Sequence, residues 1–228
     1  SLAVSFGADV KVVDLGIDSE KDFLGIINRK IMKNGTRNIR RESAMTREEA
    51  VKAIETGIEI VDELAEKGYN LFALGEMGIG NTTTSSAVLN VLTDIPLEEI
   101  VGRGSGINDQ TLEHKKNVVK ESIKINDPDK TDPLDVLAKV GGLDIAAMTG
   151  AFLGCAKNRI PVVIDGLISG VSALLAYKLA ENSRDYMIPS HLSEEPGMKW
   201  LMKEMDLEPV FLMNMKLGEG SGAVLMFP

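Results

Sequence analysis

The sequence predicts an α/β protein whose doubly wound, mostly parallel sheet carries helices on both faces. Three observations predict it. Short apolar runs rich in β-branched residues end in glycine or aspartate, as buried strands do. Between them, apolar residues recur at steps of three and four, the period of an amphipathic helix. The two kinds of segment alternate along the chain, and alternation of that sort produces parallel strands joined by crossover helices. With 228 residues, 44% hydrophobic and 26% charged, the chain has the size and composition of one ordinary globular domain.

Taken in order, Ala8 to Gly16 places Val10, Val12, Val13 and Leu15 in a short β-rich run ending in glycine. Lys30 to Ser43 is basic and polar and reads as a loop. Thr46 and Glu49 have the spacing of a capping box. Val51, Ile54, Ile58, Val61 and Ala65 then mark a helix that stops at Gly68. Tyr69 to Gly75 is a compact strand, and Thr82 to Leu92 the next helix. Helices follow over Asp109 to Ile125, Pro133 to Val140 and Gly142 to Lys157, the last rich in small residues and therefore buried. Arg159 to Gly166 is a strand and Ser169 to Leu179 a helix. Asp185 to Ser190 reads as a short strand, and Glu208 to Met213 as the last one. Between them Ser193 is expected to cap a helix with Met198, Leu201, Met202 and Met205 on one face.

Composition excludes several functions. No apolar run reaches the ~18 residues of a membrane span, and no secretory signal opens the chain. A formal charge of −9 argues against a nucleic-acid surface, which needs clustered Lys and Arg. A small anion is different, since a few backbone N–H groups suffice to hold it. The lone Cys155 excludes an intramolecular disulfide and fits a reducing cytoplasm. His114 and His191 are far apart and have no metal-ligand neighbours, so neither a metal nor a cofactor is expected. No G-x-S-x-G nucleophile elbow is present. The chain begins at Ser1 and stops at Met226-Phe227-Pro228, which reads as a single catalytic domain over residues 1–228 truncated at both ends.

Four glycine-bearing segments fall where an open α/β sheet binds ligands, beyond the carboxyl ends of its strands. The first is Gly75-Glu76-Met77-Gly78-Ile79-Gly80-Asn81-Thr82-Thr83. It begins as G-x-x-x-x-G, the opening of a phosphate loop, but has Asn81 where an NTPase has lysine. Its amides suit a single phosphate and lack the charge for a triphosphate. The plain alternative is a glycine-rich strand-to-helix turn, but Glu76 beside an anion site is costly unless it is used. The second is Gly102-Arg103-Gly104-Ser105-Gly106 with Lys115 on the helix that follows, a close backbone approach or simply a loop with a solvated lysine. The third is Asp165-Gly166, either a ribose acceptor or an N-cap. The fourth is Gly218-Glu219-Gly220-Ser221-Gly222, either a carboxylate offered to a ligand or a solvated turn.

Several blocks then carry a resemblance. GEMGIGNTT (75–83), GRGSG (102–106) followed by HKKNVV (114–119), and the long run DPLDVLAKVGGLDIAAMTGAFLG (132–154) come in order. PVVIDGLISGVSALLA (161–176), SHLSEEPG (190–197) and KLGEGSGA (216–223) follow, and GTRNIRRESAMTREEA (35–50) precedes them. Together they resemble the nicotinate-nucleotide:dimethylbenzimidazole phosphoribosyltransferase family across nearly the whole chain. The resemblance implies a Rossmann-like core with the family's small helical domain largely missing, and a homodimer. It implies transfer of phosphoribose from nicotinate mononucleotide to 5,6-dimethylbenzimidazole, giving α-ribazole 5′-phosphate and nicotinate. Glu219 would be the catalytic base and Glu76 would lie beside it. Gly78, Gly80, Asn81 and Thr82 would cradle phosphate and ribose. Gly104, Ser105, Gly106 and Lys115 would contact the nucleotide, Asp165 the ribose, and Ser193 with Gly218 would line the site. Two other readings are a P-loop nucleotidase, which Asn81 in place of lysine disfavours, and a non-catalytic nucleotide-binding fragment.

Overall fold

The computed structural model describes residues 2–21, 23–104, 106–213, 215 and 218–227. Its elements run α1 (Leu2–Ser5), β1 (Val12–Asp14), β2 (Ile26–Asn28), α2 (Arg47–Glu66), β3 (Phe72–Leu74), α3 (Asn81–Thr93), α4 (Leu97–Ile100) and α5 (Asp109–Asn126). They continue with α6 (Pro133–Val140), α7 (Leu143–Asn158), β4 (Val162–Ile164), α8 (Leu167–Leu179), a 3-10 turn (Glu181–Tyr186), β5 (Met187–Pro189), α9 (Met198–Met205) and α10 (Ser221–Val224). Every strand pairing among these elements is parallel. β1 and β2 form a two-stranded ribbon, and β3, β4 and β5 form a sheet in that order. Leu74, Ile164 and Pro189 stand in register, so the three carboxyl ends open onto one edge.

The strands are shorter than the apolar runs that announce them. Pro161 at the start of one run has no N–H to give a ladder, and pairing begins at Val162. The expected strand Asp185–Ser190 divides into the 3-10 turn and β5. The expected last strand, Glu208–Met213, contracts to one parallel bridge between Phe211 and His191, flanked by backbone bonds from Phe211 N–H to Ser190 O (2.9 Å) and Leu192 N–H to Phe211 O (3.1 Å). α1, β2, α4 and α10 were not anticipated. Each is only three or four residues long, too short to show a period.

Helix α2 begins as its sequence dictates. The Thr46 hydroxyl accepts from the Glu49 N–H at 3.1 Å, and a Glu49 carboxylate oxygen accepts from the Thr46 N–H at 2.7 Å. The same Glu49 oxygen holds Arg37 at 2.9 Å. The basic loop before α2 is tied down further by Arg40, which pairs with Glu121, while Arg29 just before it pairs with Glu63. Ser193, by contrast, does not cap α9. That helix starts after Gly197 with no side-chain cap, and the Ser193 hydroxyl is buried without a protein partner. The methionine face is as expected, with Met198, Leu201, Met202 and Met205 all buried.

Helix α7 is the spine of the core. Ile145, Ala146, Phe152 and Cys155 are fully buried, and burial pushes the Cys155 thiol up to about 12, leaving it an unreactive packing group. Its small residues let α2 come within backbone distance. A Cβ on Gly57 would sit 2.0 Å from the Ala147 carbonyl oxygen, and one on Gly150 would sit 1.9 Å from that of Ile54. Neither carbonyl is the end of a flexible side chain, so neither can step aside. Gly150→Ala is therefore expected to destabilise the protein by about 1–3 kcal/mol through overpacking, although alanine is the better helix former by ~1 kcal/mol. Thermal unfolding checks this: the melting temperature should fall by roughly 2–4 °C per kcal/mol, and an unchanged or raised value would refute the close packing.

Candidate active site

The common carboxyl edge of β3, β4 and β5 gathers two of the four glycine segments directly. Gly75 follows β3 and Asp165 follows β4, while Ser190-His191 follow β5 beside them. The Gly218–Gly222 segment reaches the same edge from far along the chain. A Cβ on Gly75 would lie 2.3 Å from the Gly220 nitrogen and 2.7 Å from the Glu219 carbonyl carbon, so the two loops touch backbone to backbone. Only glycine at position 75 permits that approach.

Glu219 sits exposed on an unusual backbone. Gly218, Glu219 and Gly220 have φ values of +68°, +57° and +78° in succession. Asp94, Asp127, Arg159 and Asp206 also have positive φ, but each closes the C-terminus of a helix, where that conformation is ordinary. Glu219 stands before a helix instead. Holding a non-glycine residue there costs on the order of 1–3 kcal/mol, and such strain gathers at functional sites.

The first segment ends on helix α3. Gly80 is its N-cap in the left-handed conformation, with no side-chain cap, which leaves the partial positive charge of a 13-residue helix open to an anion. Lys115 Nζ from α5 lies 2.9 Å from Thr82 Oγ1 and 3.0 Å from the Gly102 carbonyl oxygen. That contact brings the Gly102–Gly106 loop to the same helix end, and a Cβ on Gly104 would meet Thr82 Oγ1 at 3.4 Å. Burial lowers the Lys115 pKa, while the nearby Glu195 carboxylate opposes the shift. Gly106 lies on the same loop with φ +104°; Ser105 falls outside the described residues.

On the other side of the α3 terminus the Asn81 amide nitrogen donates to two carboxylates, Glu76 and Asp144, the latter at 2.8 Å. Burial raises the Glu76 pKa, and the charges of Asp144 and Asp165 push it the same way. The Asn81 amide and the Gly78 N–H pull it back. Gly78 is pressed close, since a Cβ there would lie 2.5 Å from an Asp144 oxygen. Asp165, 3% exposed, directs both carboxylate oxygens at backbone N–H groups, those of Gly220 (3.0 Å) and Ala223 (2.9 Å). It caps α10 rather than the helix that follows it in sequence.

Two acidic residues were not singled out from sequence. Asp144 holds Asn81, and Glu195 accepts the Gly104 N–H at 2.8 Å while its second oxygen is buried without a protein partner. Both lie in glycine-flanked blocks quoted above, GGLD and SEEPG, and that flanking was the only available signal. Among the described residues no group of three His, Cys, Asp or Glu is placed to hold a metal, and no helix is long and apolar enough to cross a membrane. Two surface clefts of about 310 and 340 Å³ lie elsewhere, one lined by Asp14, Lys21, Phe23, Ile26 and Asn28, the other by residues that include Asn90, Asp94, Asp127 and Lys130. Neither includes a residue of the four glycine segments.

Known proteins are similar to this chain along nearly its whole length. A nicotinate-nucleotide–dimethylbenzimidazole phosphoribosyltransferase from Clostridium acetobutylicum is 55% identical over 221 residues, covering 97% of this chain and 62% of that protein. One from Ruminiclostridium cellulolyticum is 56% identical over 220 residues, covering 96% and 62%. The crystal structure of CobT from Thermus thermophilus superposes with a TM-score of 0.94 at 37% identity, over 100% of this chain and 68% of that one. The chain thus spans about 62% of the length of the curated relatives it matches. A family model described as phosphoribosyltransferase matches residues 1–228, and the chain belongs to the nicotinate-nucleotide–dimethylbenzimidazole phosphoribosyltransferase family.

Proposed function

We propose that the protein transfers phosphoribose from nicotinate mononucleotide to 5,6-dimethylbenzimidazole or a related base, releasing nicotinate and forming the α-nucleotide. The observation that carries this reading is the contact of the Glu219 turn with the phosphate loop at Gly75 and Gly220. It puts a carboxylate on the same edge as the open terminus of α3. The phosphate sits against the amides of Gly78 to Thr82, with Lys115 and the Gly104–Gly106 turn completing its contacts. Ser193 and Gly218 line the remaining wall, and the buried, unpartnered Ser193 hydroxyl supports a polar ligand there.

In the reaction one benzimidazole nitrogen attacks C1′ of the ribose while the Glu219 carboxylate accepts the proton from the other. The C1′–nitrogen bond to nicotinate breaks, its electron pair neutralises the pyridinium, and attack from the opposite face inverts β to α. The leaving group needs no proton, so a single base suffices. Such a base is worth roughly 10²–10⁴-fold, and alignment of the two substrates adds to it. Glu76, held by the Asn81 amide, stands near the incoming heterocycle. A homodimer and a cytoplasmic location are part of the proposal, the latter in keeping with the free Cys155. Light scattering tests the former.

Chromatography of products from nicotinate mononucleotide and dimethylbenzimidazole should show free nicotinate and an α-nucleotide in the complete protein. Glu219→Gln should lower kcat by ~10²-fold or more; nucleotide binding without turnover in the wild type would overturn the enzymatic reading. Lys115→Ala removes charge-assisted contacts worth about 1.5–3 kcal/mol, so KM for the nucleotide should rise roughly 10- to 100-fold. An unchanged KM would remove Lys115 from the phosphate site. Glu76 also makes a stability prediction. Its pKa is raised on folding, so the stability it contributes is present below the unfolded value and lost as pH rises through the folded one. Glu76→Gln should therefore melt higher than wild type at pH 8, and the gap should close towards pH 4.

A further inference from the structure

We infer that Asp165 is a positioning residue whose carboxylate pins the turn that aims Glu219. The inference rests on Glu219 being the base, as proposed above, and concerns what holds it in place.

The turn does not hold itself. Three successive residues lie at positive φ, and the helix they introduce, Ser221–Val224, is only four residues long. Ser221 N–H to Gly218 O and Val224 N–H to Gly220 O, both at 3.0 Å, are the backbone bonds that close the turn and open the helix. A single turn of helix is marginal without outside contacts. Asp165 supplies the hydrogen bonds among those contacts, accepting one N–H on the residue after Glu219 and another three residues further on. Its own backbone follows β4, the central strand of the sheet, and its N–H meets Ser169 Oγ at 3.2 Å. The carboxylate is therefore a rigid post, and its negative charge suits the positive end of the short helix.

A second group lies beside the carboxylate. A Cβ on Gly222 would lie 2.2 Å from His191 Nδ1 and 3.0 Å from Asp165 Oδ1, so the first turn of α10 is seated on the imidazole. The Ser190 hydroxyl donates to the Ile164 carbonyl oxygen at 2.7 Å and can then only accept at 3.0 Å from Nδ1, which assigns the proton to Nδ1. His191 is 3% exposed. The imidazole and the Asp165 carboxylate both stand against Gly222, and together they seat the first turn of α10. The acceptor reading of Asp165 toward ribose competes with this one, because the carboxylate is 3% exposed and already turned toward two backbone N–H groups.

The test separates the two. Asp165→Asn keeps one acceptor oxygen and sets an amide N–H₂ against a backbone N–H, while Gly222→Ala wedges α10 away from His191 and changes no residue of the Gly78–Thr82 cradle. Both should lower kcat by about 10²-fold, the loss expected from an ångström-scale misplacement. KM for nicotinate mononucleotide should stay within roughly two-fold, since neither substituted residue belongs to the Gly78–Thr82 cradle. Calorimetric binding of that nucleotide shows whether each variant is folded; if Asp165→Asn fails to fold, Gly222→Ala decides alone. A rise in KM without loss of kcat for Asp165→Asn, or wild-type kcat in Gly222→Ala, would overturn the inference. Glu219→Gln run in parallel keeps the questions apart. An active Glu219→Gln protein defeats the assignment of the base, whereas an inactive one beside a fully active Asp165→Asn protein defeats only the positioning role.

Discussion

The contact on which the site depends is between two stretches of backbone. Gly75 and Gly220 meet so closely that no side chain fits at position 75, and this joins the end of β3 to a turn from the far end of the chain. Everything else at the edge is arranged about that contact. Helix α3 points its open terminus at the space beside it, Asn81 bridges the carboxylates of Glu76 and Asp144, and Asp165 fastens the turn to the central strand. Backbone contacts of this kind cost no side-chain conformational freedom, and they hold the two loops in one relative position.

The electrostatics follow from crowding acids around one helix end. Glu76, Asp144 and Asp165 come together where a partial positive charge and an amide hydrogen-bond network offset part of their repulsion. Lys115 is on the other flank with Glu195 behind it. The edge is thus cationic on one flank and anionic on the other. It also stores unfavourable energy in the unliganded protein, as half-buried charges and a strained Glu219 do.

Much of this was legible in the chain. The capping box at Thr46 and Glu49, the small-residue face of α7 and the methionine face of α9 were all local patterns and are all present. The ends of α2, α3, α5, α6, α7 and α8 fall within two residues of their expected places. Strand lengths do not. Pro161 and the 3-10 turn after α8 truncate runs whose apolar character is continuous, because hydrophobicity marks burial and not ladder bonding. Ser193 has a capping residue type, but its helix begins only at Met198, so its hydroxyl remains free for another purpose.

By itself the sequence determined the fold class, the elements with a clear period, and the four glycine segments, since each is written in contiguous residues. The pairing of those segments was decided only by tertiary structure. That Asp165 caps a helix 55 residues away, that Asp144 shares an amide with Glu76, and that Glu195 supports the Gly104 loop depend on which strand lies beside which. Residue type sets what a carboxylate is able to accept. Only the parallel register of β3, β4 and β5 decides which N–H groups are brought within its reach.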